Sequence, residues 1–179
     1  LRFIRDAMAR TATFTALPGV RGALMGVVGL IAAVVAARQP TPDRWLTVWL
    51  VAAGLAAAIA VTAIVRKARR AGMALDGRTA RNFGVGLVAP LAAGAAITYS
   101  LWRAGQYSAM PGVWLLLYGA GVLIGGMFAV RVVRLTGLLF MMFGFAAVLL
   151  PQYGDIWLGA GFGAHQTMGG IFIARRHGG

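Results

Sequence analysis

Residues 45–65 read WLTVWLVAAGLAAAIAVTAIV, and Arg66, Lys67, Arg69 and Arg70 follow at once. The run carries no charge, and its length of ~20 residues is what a helix needs to cross the hydrocarbon of a bilayer. Lys and Arg gather on the cytoplasmic side of a membrane, so the basic cluster marks the inner end of this span. A chain containing such a segment is integral to a membrane, and the rest of the sequence is read on that basis.

The composition agrees. Of 179 residues, 60% are hydrophobic and only 12% are charged. A soluble domain carries about 25% charged residues, so water is not the main solvent here. Seventeen Lys and Arg against four acids give a net charge of +13. In a soluble chain that excess would point to nucleic acid. In a bilayer it belongs to cytoplasmic loops and to anionic headgroups, and no soluble domain exists to present a nucleic-acid surface. Nucleic acid is therefore not an expected partner; anionic membrane lipid is. The chain has no cysteine, which removes disulfides, thiolate chemistry and cysteine metal sites. The first apolar run ends at Arg38-Gln39-Pro40 without a small-residue cleavage motif, so no cleavable signal peptide is expected.

Taken in order, residues 1–20 are too polar to span. Ile4, Ala7, Met8, Thr11 and Phe14 recur at helical spacing between Arg2, Arg5, Asp6 and Arg10. This predicts an amphipathic helix lying in the cytoplasmic interface, with a basic tail as the alternative. Residues 21–179 then form one transmembrane domain. Spans are predicted at 22–37, 45–65, 83–102, 111–130, 135–150 and 156–174. Trp45 and Trp49 are expected as interfacial anchors, Pro90 as a kink in the third span, and Arg131 to Arg134 as a tight basic turn. The fold class is an all-α integral membrane bundle of six transmembrane helices with both termini cytoplasmic.

Charge supports that topology. On the six-span reading only Arg38, Arg44 and Arg103 lie outside, and every other Lys and Arg lies inside. Arg66, Lys67, Arg69, Arg70, Arg78 and Arg81 fall in the longest inner loop, the expected surface for anionic headgroups or a partner. Small residues spaced for close helix approach occur at Gly22 and Gly26, Gly121 and Gly125, and Gly159 and Gly163. There is also an internal echo. YGAG at 118–121, GGMF at 125–128 and Arg131 resemble LGAG at 158–161, GGIF at 169–172 and Arg175.

No charged residue falls inside any expected span, whereas ion-coupled transporters usually keep one near mid-membrane. Paired-carboxylate catalysis and a buried metal cage are not expected, and the chain is read as a non-enzyme. The ionisable exception is His165, midway along the last span in GFGAHQT at 161–167. Imidazole can hydrogen-bond a quinone or pigment, and the small residues around it leave room for a flat ligand. It can equally serve as a neutral interhelical donor to Tyr118 or Thr98. His165 and Tyr118 are the candidate ligand-binding residues; the cofactor itself is not specified.

FTALPG at 14–19, ARRAG at 68–72, PGVWLLLYG at 111–119 and IARR at 173–176 make the chain similar to small bacterial polytopic membrane proteins with six helices. The resemblance implies a multi-pass protein of the bacterial cytoplasmic (inner) membrane and assigns no activity. Two functions are expected from the residues. The first is a non-enzymatic subunit or sensor-like module that packs with other membrane subunits, a second copy of itself, lipid or an apolar ligand. The alternative is a passive channel or small-solute transporter with a path near Pro90, Tyr118 and His165.

Overall fold

Local signals set the helix ends. The Thr41 hydroxyl accepts the Arg44 N–H at 3.4 Å, Pro42 takes the first helical position and Asp43 follows in the first turn. All three are features of a helix start. At another helix end Gly105 adopts φ 69°, which a residue with a Cβ resists. The Gly105 and Gln106 N–H groups turn back to the carbonyls of Trp102 and Leu101, closing the end in a Schellman motif.

The computed structural model describes residues 19–70, 78–126 and 131–177, and its regular elements are all helical. They are α1 (Gly19–Ala36), α2 (Pro42–Arg70), α3 (Arg78–Arg103), α4 (Met110–Gly125) and α5 (Arg131–Leu149). Then α6 (Gly154–Leu158), a π-helical stretch (Gly159–His165) and α7 (Gln166–His177) join without a break into one final rod. Short 3₁₀ turns precede α4 (Tyr107–Ala109) and α6 (Pro151–Tyr153). The amphipathic segment expected over 1–20 lies outside the described residues apart from Gly19 and Val20. So do the side chains of Lys67, Arg69, Arg70, Arg78 and Arg81, while that of Arg66 is exposed.

Among the described residues, four stretches are long and apolar enough to cross a membrane: Gly19–Ala36, Pro42–Ala63, Tyr107–Gly125 and Arg131–Leu149. One detail differs from the sequence reading. Arg131 to Arg134 are the first turn of α5 rather than a separate turn, because long basic side chains at a helix end can reach back to the interface. Pro90 lies inside α3, which continues through it.

The helices pack in two groups. In one, α1 lies between α2 and the final rod; in the other, α4 lies between α3 and α5. Glycine makes both possible. Gly19, Gly22, Gly26 and Gly29 form a buried stripe on α1. A Cβ on Gly26 would collide with the Thr167 backbone nitrogen, and one on Gly29 with the Phe162 carbonyl oxygen. In the second group, a Cβ on Gly119 would lie 2.8 Å from the Gly137 oxygen. Lipid tails are as apolar as Leu, so such close contact, rather than water exclusion, holds membrane helices together. The surface fits that solvent: Leu50, Val51, Leu55, Val88, Met142, Phe145, Leu149 and Met168 are all exposed.

α4 has three working faces. Pro111, Leu115 and Tyr118 meet the final rod, Gly112, Leu116 and Gly119 meet α5, and Trp114, Leu117 and Gly121 meet α3. Its echo, the final rod, instead flanks α1, so the two similar stretches occupy unlike places.

Side chains close one end of the bundle. The Trp45 indole N–H donates to Asp155 at 2.6 Å, and its ring stacks on Trp114. Trp114 donates to the Thr98 hydroxyl at 2.8 Å, which donates onward to the Gly94 carbonyl at 2.6 Å. Asp43 accepts from Trp102 at 2.9 Å and from Tyr107 at 2.5 Å. These bonds tie α2 to both groups. Trp49 is not an interfacial anchor: it is 5% exposed and packs in the core with Ala32, Ala36 and Ala52, whose small side chains make room for an indole.

Candidate functional site

The final rod is the member of the first group that meets α4 and α5 of the second, and its π-helical stretch lies at their joint. Five residues in seven of that stretch, GAGFGAH, are Gly or Ala, which lets the backbone widen. The Gln166 N–H reaches the Gly161 carbonyl, five residues back. Such π segments inside α-helices concentrate at functional sites. Gly161 brings the rod against α4 and α5, since a Cβ there would lie 2.7 Å from Leu115 and 3.3 Å from Phe140.

Aromatic rings fill the joint. Phe140, fully buried, lies 4.7 Å from Tyr118, 5.2 Å from Phe162 and 5.4 Å from His165 between ring centroids. Tyr118 also meets Phe162 edge-on at 5.0 Å. Phe143 stands between His165 at 6.2 Å and Trp157 at 6.4 Å. Edge-to-face contacts of this kind stabilise a rigid layer, each by about 0.5–1.5 kcal/mol beyond area burial.

Among the described residues, two nitrogens in this layer find no partner. His165 Nε2 and Trp157 Nε1 are shut away from solvent without a hydrogen bond, as is Trp49 Nε1 elsewhere in the core. An orphaned buried polar group costs about 1–3 kcal/mol and calls for an explanation. The expected partners are engaged elsewhere. Tyr118 packs its ring against Phe140 and Phe162, and Thr98 is committed to Trp114 and Gly94. One turn beyond His165, a Cβ on Gly169 would meet nothing within 4 Å, so the rod has open space there.

The other residues singled out from sequence are distributed as follows. Gly26 faces Thr167 and Gly22 faces Gly170, both across the α1–rod contact. Gly121 faces Leu87, and Gly125 lies against Gly86. Gly159 faces Ala33, and Gly163 faces Leu30. Pro90 lies on α3 between Leu87, which meets Gly121, and Gly94, which meets Leu117 of α4. Sequence reasoning missed Trp157, Phe143 and Phe162. Trp157 precedes His165 by about two helical turns, a spacing that would have paired them had the indole been counted as a polar group. Among the described residues no group of three His, Cys, Asp or Glu could hold a metal.

Comparison of the chain with models of protein families, with characterised proteins and with solved structures finds no match.

Proposed function

We propose that this chain is a non-enzymatic, sensor-like membrane module of six transmembrane helices, with both termini cytoplasmic in a bacterial inner membrane. It holds an apolar, membrane-dissolved ligand at the joint between its two helix groups. The observation that carries this reading is the pair of unpartnered nitrogens, Trp157 Nε1 and His165 Nε2, on either side of Phe143. A flat molecule with acceptor oxygens, of which a quinone is the model, would satisfy them by displacing the Phe143 ring. Because that ring also packs the rod against α5, occupancy would alter how the groups meet, which is what a sensor requires.

The test is to extract the protein in mild detergent and identify lipid-soluble molecules that travel with it by mass spectrometry. An apolar acceptor-bearing compound bound to wild type and lost from both His165→Leu and Trp157→Phe is the expected result. A wild-type particle that carries only bulk lipid, and that takes up no added quinone, would refute the reading.

A further inference from the structure

Away from the aromatic joint, at the end closed by the tryptophans, the loops around residues 36–42, 107–111 and 151–155 surround an open cavity of about 400 Å³. That is within the size range of small-molecule sites, roughly 300–1,000 Å³. Its wall includes Trp45, Tyr107, Asp155, Ser108 and Gln152, and among the described residues no Lys or Arg lines it. In a chain of net charge +13 this is unexpected. Arg38, Arg44 and Arg103 belong to the same end, yet none is in the wall.

The aromatic residues of this wall share a second feature. Trp45 donates its indole N–H to Asp155 at 2.6 Å, and Tyr107 donates its hydroxyl to Asp43 at 2.5 Å. A ring whose polar hydrogen is held by a carboxylate is polarised toward its π face, which strengthens its attraction for a cation. Trp45 takes only one oxygen of Asp155, so the carboxylate charge remains available to the cavity.

We propose that this cavity binds an ammonium group, with Asp155 as counter-charge and Trp45 and Tyr107 as aromatic walls. The group can come from a free amine or from a lipid headgroup. The site is separate from the His165 layer, and substitutions at Phe143 or His165 leave it unchanged.

Isothermal titration of the detergent-purified protein tests this with choline against its uncharged isostere 3,3-dimethyl-1-butanol. Choline should bind at least about tenfold more tightly than the alcohol. Asp155→Asn, which keeps the shape and an acceptor for Trp45, should weaken choline by a similar factor. Ser108→Lys places a positive charge in the wall without touching either hydrogen bond and should abolish binding, so it decides the matter if Asp155→Asn fails to fold. Competition by dihexanoylphosphatidylethanolamine assigns the site to a lipid headgroup, and its absence assigns it to a free amine. Equal binding of choline and the alcohol, choline binding that survives Ser108→Lys, or no choline binding to wild type would each overturn the proposal.

Discussion

The indoles of Trp45 and Trp114 stack with centroids 5.6 Å apart and planes 9° from parallel. Each ring also donates its N–H outward, Trp45 to Asp155 on the final rod and Trp114 to Thr98 on α3. Four helical rods therefore meet through one pair of rings. Trp45→Ala should lower stability by about 3–5 kcal/mol. A double-mutant cycle with Trp114→Ala should return a coupling of about 0.5–1.5 kcal/mol. Reversible unfolding in mixed micelles measures both, and additive effects would mean that the stack contributes nothing.

Thr98 is a buried relay, accepting from Trp114 and donating to Gly94. Thr98→Val keeps the volume and orphans the Trp114 N–H, at a cost of about 1–3 kcal/mol. Thr98→Ser retains the hydroxyl and should cost far less. Equal losses from the two variants would assign the effect to packing instead.

Glycine at the helix contacts is required by space. A Cβ on Gly137 would sit 2.7 Å from the Leu123 nitrogen and 2.8 Å from the Gly119 oxygen, both backbone atoms that cannot step aside. Gly137→Ala should destabilise by about 1–3 kcal/mol. At Gly54 nothing lies within 4 Å, and Gly54→Ala should be neutral or stabilising by under ~1 kcal/mol. The thermal midpoint of Gly137→Ala should fall below wild type, and that of Gly54→Ala should not.

His165→Phe tests the orphaned nitrogen from the side of stability. It keeps an aromatic ring against Phe140 and Phe143 and removes a polar atom without a partner. The unliganded protein should be as stable as wild type or more so, by up to about 3 kcal/mol, while ligand retention is lost. A clear fall in the thermal midpoint of ligand-free protein would show that Nε2 is satisfied in the membrane.

Much of this was legible in the chain itself. The uncharged run at 45–65 and the Gly22 and Gly26 pair on α1 are local signals that act within one or two turns, whereas the helix start at Pro42 lies in a stretch that reads as a loop. His165 also stood out, as an ionisable group in an apolar run. Its surroundings did not. Tyr118 and Thr98 were reasonable partners by depth, yet both are engaged by neighbours that only the packing of α3, α4 and the final rod brings close. Trp49 shows the same limit, reading as an anchor by position and lying in the core because α1 offers Ala32 and Ala36 opposite it.

The sequence by itself therefore determined that the chain is helical, with several segments long and apolar enough to cross a membrane, because charge and length report directly on the solvent each segment suits. Tertiary structure alone decided which face of each helix meets protein, how the two groups join at Phe140 and Phe143, and which polar atoms are left without partners. In water the buried face of a helix is marked by its apolarity. In a bilayer lipid and protein interior are equally apolar, so the pattern along one helix cannot tell them apart, and the distinction is made by shape when the helices pack.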